Sequence, residues 1–275
     1  HLSPGNLFII GGRPSAGKTA LSLQMACEQA RKGYRVCYFS LETDPDTLTA
    51  RIIANRLAVS LADVKAKTVP QSELDNLAEL HRLPLFIRSA SGKGVAWVKA
   101  QAQRMKAQVV FIDYLQLLAT GKAKDRYQQI TSISIALHEL AQTTEILVVA
   151  LAQLNRNSAQ SLPTVSDLKE SGQIEQDADI ILLMWREDYD LKDAPRIIQV
   201  AKNRNGEALD KVRCRFDGEH QTFTRIEPRP EPMPAKKARQ KPRQVSFWGD
   251  GSDWQQMPDG ERTPFDEAPK ETPKA

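Results

Sequence analysis

The sequence predicts an α/β fold: a mainly parallel, twisted sheet flanked by helices on both faces, with antiparallel hairpins at its C-terminal end. Three observations carry this expectation. Between residues 7 and about 227, short β-rich runs alternate with helical patterns at the spacing of successive βαβ units. The stretch Gly12-Arg13-Pro14-Ser15-Ala16-Gly17-Lys18-Thr19 matches G-x-x-x-x-G-K-T and lies between an apolar run and a helical pattern, the strand, loop, helix order such a loop requires. The last β-rich runs follow one another through the turn pairs Asn205-Gly206 and Asp217-Gly218, which favour hairpins over crossovers.

Taken in order, Leu7-Phe8-Ile9-Ile10 is an uncharged run that reads as a buried strand over 7–11. Residues 18–32 follow as a helix, with apolar residues at i, i+3 and i+4 through Ala20 to Ala26. Further strands are expected at 35–40, 84–88, 108–113 and 145–151, alternating with helices at 45–58, 71–82, 94–106 and 126–143. The closing set of strands is expected at 179–185, 196–201, 211–216 and 221–226. No period of 20 to 50 residues repeats, which argues against a solenoid.

From Pro228 onward prolines crowd together, hydrophobic periodicity vanishes and charge comes in blocks, so 228–275 reads as a disordered Pro-rich tail behind a domain of residues 1–227. Lys236, Lys237, Arg239, Lys241 and Arg243 form a basic block there. It is either a solvated tail or a contact for nucleic-acid backbone. The island Gln244-Val245-Ser246-Phe247-Trp248 loosely resembles the glutamine-plus-aromatic peptides that bind sliding clamps, a route to other replication proteins.

The 275 residues carry a formal charge of only +4, so the overall balance neither demands nor excludes a nucleic-acid partner. Cys27, Cys37 and Cys214 lie in apolar-patterned segments without C-x-x-C spacing and read as buried, reduced thiols. No run approaches the ~18 apolar residues of a membrane span, and a soluble, cytoplasmic protein without a membrane partner is expected. The chain opens at His1, a few residues before its first strand, and reads as a fragment or as a shorter relative from a phage or mobile element.

The chemistry gathers at strand ends. In a phosphate loop of this kind, backbone N–H groups along Gly12, Arg13, Ser15, Ala16, Gly17, Lys18 and Thr19, Pro14 having none, point at phosphate oxygens, Lys18 reaches the β- and γ-phosphates of ATP, and Thr19 holds Mg²⁺. Val109-Val110-Phe111-Ile112-Asp113 delivers one carboxylate to the edge of a buried strand, either a second metal-orienting group or a capping residue. Glu42, after Val36 to Leu41, is the candidate for polarising the attacking water. Gln153, after Leu147 to Ala152, either senses the γ-phosphate or satisfies backbone groups at a strand end.

The polar segment after Gln153 is long for a compact α/β domain, and such loops are usually functional. Arg156 and Lys169 supply positive charge there, and Gly172 permits close approach to a phosphate. Lys202 and Arg204, two residues apart on one strand face, fit an arginine finger that completes a neighbour's nucleotide site. The competing reading is a basic hairpin edge that discourages aggregation.

Six motifs in this order resemble the C-terminal motor domain of DnaB-type replicative DNA helicases, over residues 2 to about 227: the phosphate loop, Ser40-Leu41-Glu42, Ile112 to Leu117, Ala152 to Arg156, Asp167 to Asp179 and Ala201 to Gly206. The resemblance implies a RecA-like P-loop core and a ring hexamer with ATP at subunit interfaces and single-stranded DNA threaded through the centre. It assigns Lys18 and Thr19 to phosphates and Mg²⁺, Glu42 to catalysis, Asp113 to the metal and Gln153 to γ-phosphate sensing. It implies that Lys169, Glu170 and Gly172 grip DNA and that Lys202 and Arg204 act across the interface. Lys169 stands where the family usually has Arg, which keeps the charge but loses the bidentate fork. Thr43 stands where methionine is common, and the family's N-terminal domain and linker helix have no counterpart here. The function so implied is an ATP-dependent DNA helicase motor. A filament-forming recombination or repair ATPase and a nucleotide switch without unwinding are its rivals.

Overall fold

Each buried strand of this chain presents alternate residues to two separate cores, and that alternation places helices on both faces of one sheet. The computed structural model describes residues 3–74, 76–120, 125–154, 162–168, 172–191, 193–208 and 210–227. The strands are β1 (Leu7–Gly12), β2 (Val36–Ser40), β3 (Leu85–Ser89), β4 (Val109–Asp113), β5 (Leu147–Gln153), β6 (Ile180–Arg186), β7 (Arg196–Asn203), β8 (Lys211–Asp217) and β9 (Thr222–Arg225). The helices are α1 (Lys18–Arg31), α2 (Pro45–Leu57), α3 (Leu61–Ala66), α4 (Gln71–Leu74), α5 (Leu77–His81), α6 (Val95–Arg104), α7 (Arg126–Thr144) and α8 (Gly172–Asp177). A 3-10 turn, Leu115–Leu117, follows β4.

Among the described residues the strands form one sheet of nine in the order β3-β2-β4-β5-β1-β6-β7-β8-β9. From β3 to β6 neighbours are parallel, and β6 to β9 are antiparallel, as the α/β reading with closing hairpins expected. Phe8, Ile10, Tyr38, Val109 and Phe111 enter the core beneath α1 and α2. Their strand neighbours Leu7, Ile9, Phe39, Val110 and Ile112 enter the core that also takes α6, α7 and α8 through Val98, Leu137 and Ile174. The connection after β1 therefore leaves towards one face and the connection after β5 towards the other. β1 and β5 are adjacent, so a crevice opens at their C-terminal ends, where ligands of open α/β sheets bind.

All the predicted strands form, with ends shifted by a residue or two, and the helices at 18–32, 45–58, 94–106 and 126–143 are present, the first three slightly shorter and the last one residue longer. The helix expected over 71–82 is two short ones, α4 and α5, with Asn76, a poor helix-interior residue, at the start of the second. Two short helices went unforeseen. In α3, Ser60 caps the start by accepting from Ala62 N at 3.1 Å; α8 spans only six residues. Cys27, Cys37 and Cys214 are free and buried, and burial pushes the Cys27 and Cys37 thiols up to about 11. No helix among the described residues is long and apolar enough to cross a membrane.

The end of the sheet curls onto its beginning. Cys214 and Phe223, with Val212 and Phe216 beside them, pack on Ala16 and Ala20 of the phosphate loop and α1. Gln24 of α1 clips this contact by pairing its carboxamide with both backbone groups of Phe223, at 3.1 and 2.9 Å. Asn55 of α2 similarly reaches Gln221 O and Thr222 Oγ1 at 3.1 and 2.8 Å.

Candidate nucleotide site

The loop after β1 can turn because glycine stands where no other residue fits. Gly17 has φ +101, and a Cβ there would lie 2.8 Å from the Phe223 ring; at Gly12 a Cβ would meet the Lys18 side chain at 2.9 Å. Lys18, first residue of α1, donates from Nζ to the carbonyls of Gly12 and Arg13 at 2.8 and 3.1 Å. Burial pulls its pKa down to about 8, against the opposing influence of Asp113 and Glu42.

Sheet register aligns the remaining groups. Gly12 pairs with Gln153 across β1 and β5, and Ser40 pairs with Asp113 across β2 and β4, so Glu42 follows at the same edge. Thr19 Oγ1 donates to Asp113 Oδ2 at 2.8 Å, and the Tyr38 phenol approaches the same oxygen at 3.1 Å. Burial raises the Asp113 pKa, while these two hydroxyls and Lys18 favour its ionised form. A hydroxyl and a carboxylate at this separation are the hard oxygen donors that Mg²⁺ takes, with water and phosphate oxygens completing its shell.

A cavity of about 500 Å³ is lined by Pro14, Ser15, Gly17, Lys18, Thr19, Glu42, Asp113 and Gln153. Arg51, Tyr114, Phe216 and Gln221 line it too, and these the sequence did not reveal. Arg51 Nε is buried without a hydrogen-bond partner among the described residues, an unpaired donor on a residue of this wall. Gln116 was also missed. Its carboxamide bonds both backbone groups of Gln153 at 3.1 and 3.2 Å, while Arg126 holds its carbonyl at 2.8 Å. The strand end that carries Gln153 is thus pinned from the 3-10 turn and α7.

The family model described as DnaB-like helicase C terminal domain matches residues 1–225. The chain belongs to this family. Among DnaB-like relatives, it is 35% identical over 244 residues to the replicative DNA helicase DnaB of Leifsonia xyli, covering 82% of this chain and 53% of that one. The chain thus spans about half the length of that relative. A solved structure of an ATPase domain superposes with a TM-score of 0.77 at 32% identity, over 82% of this chain and 86% of that one. A DnaB-like replicative helicase described with its interactions with primase superposes at 0.76 and 32%, over 82% and 58%.

Within this DnaB-like domain, Lys202 and Arg204 stand apart from the cavity. Lys202 lies opposite Ile181 and Asn203 opposite Ile180, near the start of β6, whereas Met184 of β6 lies beside Gly12. They are therefore at the other edge of the sheet. Lys202 Nζ contacts Glu175 O and Gln176 O at 2.5 and 3.4 Å. Arg204 Nη1 bonds Asp179 Oδ1 at 3.0 Å and its Nη2 bonds Gln176 O at 3.2 Å. Burial and the neighbouring Arg204 charge lower the Lys202 pKa. Gly172 is the exposed first residue of α8, while Arg156, Lys169 and Glu170 fall outside the described residues.

The Lys18 pKa carries a pH prediction. Folded Lys18 loses its proton near pH 8 and the unfolded residue near 10.5. The folded chain binds fewer protons between those values, so the cost of burying this cation is complete below pH 8 and fades as pH rises to 10.5. Nucleotide phosphates need the charged form. The Kd of a fluorescent ATP analogue should be nearly flat up to pH 8 and then rise by about tenfold per pH unit. A Kd unchanged from pH 7 to 9.5 would contradict the assignment of Lys18 to phosphate.

Proposed function

We propose that this chain is the ATP-hydrolysing motor of a replicative DNA helicase, assembled as a ring whose sites are completed by neighbouring copies. The observation that carries the reading is the split of charged groups between two sheet edges. Lys18, Thr19, Glu42, Asp113 and Gln153 gather at one cavity, while Lys202 and Arg204 lie at the opposite edge of the same subunit. A cavity so equipped can bind and orient MgATP, and a further cation from outside the subunit would join Lys18 in offsetting the charge that develops on the transferred phosphoryl oxygens. A second copy supplies it from the edge that bears Arg204.

In this reading Lys18 and the loop amides hold the phosphates, and Thr19 with Asp113 would hold Mg²⁺, which would supply positive charge to offset that of the phosphates. Glu42 orients and polarises the attacking water. Gln153 hydrogen-bonds the γ-phosphate, and Arg51, Phe216 and Gln221 offer a flat cation, a ring and an amide to the purine. Single-stranded DNA is contacted through its backbone by Arg156, Lys169, Glu170 and Gly172. The bonds from Lys202 and Arg204 to the α8 carbonyls favour coupling, because a shift of those cations towards a neighbour's phosphates changes what holds the helix that begins at Gly172. A hexamer is the ring proposed, and the 228–275 tail is the proposed contact for other replication proteins.

Steady-state ATP hydrolysis measured against protein concentration, with and without single-stranded DNA, tests this. Specific activity should climb with concentration as interfaces form, and DNA should raise it further. Activity that stays proportional to concentration and ignores DNA would refute interface-completed sites in a DNA motor.

A further inference from the structure

Tyr38 lies on β2 at a position where its ring alone would satisfy the core. It is fully buried and stacks on Phe111 with centroids 5.8 Å apart, a place phenylalanine would fill equally well. Its hydroxyl is therefore the feature to account for, since a buried polar group is costly unless hydrogen-bonded. That hydroxyl lies 3.1 Å from Asp113 Oδ2 and 2.8 Å from Ser22 Oγ, and both neighbours are buried.

Proton bookkeeping fixes the direction of these bonds. An ionised carboxylate only accepts, so the single phenol proton must point at Oδ2; otherwise two oxygens would face each other at 3.1 Å with no proton between them. Ser22 then has its own proton free for the phenol oxygen or for Thr19 O, which it reaches at 2.9 Å. Thr19 donates to the same Oδ2, at 2.8 Å. One carboxylate oxygen is thus held between a hydroxyl from the sheet and a hydroxyl from the phosphate-loop helix. The Thr19 oxygen keeps lone pairs for a cation while its proton stays on Asp113.

We propose that Tyr38, backed by Ser22, is a positioning residue for the metal half of the nucleotide site, holding the Asp113 carboxylate where it can share Mg²⁺ and its waters with Thr19. The inference rests on the nucleotide-site reading above. Tyr38 is absent from the cavity lining, so it acts on the nucleotide only through Asp113 and the metal that Asp113 would hold. Its contribution should appear in Mg²⁺-dependent affinity and vanish when Mg²⁺ is chelated.

The experiment uses the full chain and an ATP analogue bearing a fluorescent N-methylanthraniloyl group, titrated in excess EDTA and in Mg²⁺. Direct Mn²⁺ binding in the presence of ADP, followed by electron paramagnetic resonance, gives a second readout that needs no turnover. In Tyr38→Phe the Kd in EDTA should stay within about twofold of wild type, while the tightening brought by Mg²⁺ falls by about tenfold, the scale of one hydrogen bond to a charged group. Mn²⁺ affinity should fall in parallel. Ser22→Ala, which keeps the phenol donor and removes only its support, should show the same pattern at roughly a third of that size or less. Unchanged Mg²⁺ tightening in Tyr38→Phe would overturn the proposal, and so would equal weakening in EDTA and in Mg²⁺, the mark of a packing role. Wild-type binding that ignores Mg²⁺ altogether would instead refute the nucleotide-site reading, and this inference with it.

Discussion

Lys18→Ala should lower kcat for ATP hydrolysis by about 10³-fold, with the fold intact. The ammonium sits where the loop carbonyls of Gly12 and Arg13 converge, 2.8 and 3.1 Å away, on a residue that lines the cavity. From there it can follow charge as it moves from the γ-phosphate towards the β,γ-bridging oxygen, and no other described lysine lines that cavity. An interaction that strengthens as the leaving group gains charge lowers the barrier more than it tightens substrate binding, so the loss should fall mainly on kcat. The melting temperature should move little. Truncation removes two hydrogen bonds, but it also removes a cation that burial disfavours enough to bring its pKa to about 8. Phosphate release within tenfold of wild type, with the melting curve unchanged, would remove Lys18 from its assigned place.

The residues most readily read from the sequence were those whose meaning is local. Lys18 and Thr19 follow from an eight-residue pattern in its strand, loop, helix setting. Glu42, Asp113 and Gln153 follow from apolar runs that end in one polar residue, and parallel register then brings them to one edge. What stayed hidden depends on which distant elements become neighbours. Phe216, Gln221 and Phe223 meet the phosphate loop because the sheet runs from β1 through β6 to β9 and curls back. The Gln24 to Phe223 clip spans 199 residues of sequence. Arg51 looked like any charged residue on a helix, and Tyr38 like one more aromatic in a core strand. Nothing near either in sequence indicates the orphan Nε of the one or the carboxylate bound by the other. The break between α4 and α5 is a different kind of miss. The apolar spacing there fits one helix, but Asn76, a residue that favours helix starts over interiors, stands ahead of the second.

Arg204→Ala should abolish turnover, by about 10³-fold or more, while leaving ATP binding to the same subunit nearly unchanged. The placement of Arg204 supports that separation of effects. Within its own chain Arg204 bonds Asp179 and Gln176 at the edge of the sheet away from Lys18, so its removal leaves the cavity's own lining intact. Asp179 still anchors Leu7 N at 2.9 Å through its other oxygen, which keeps the start of β1 in place. Mixing two inactive proteins then separates action in trans from action in cis. A Lys18→Ala subunit has a dead site of its own but an intact Arg204, and an Arg204→Ala subunit has an intact site but no cation to lend. Where the second presents its cavity to the first, the interface holds every group the reaction needs. Combined in equal amounts, the two should recover hydrolysis that neither shows alone. If Arg204 worked within its own subunit, every mixed site would still lack one essential group and the mixture would stay as inactive as its parts.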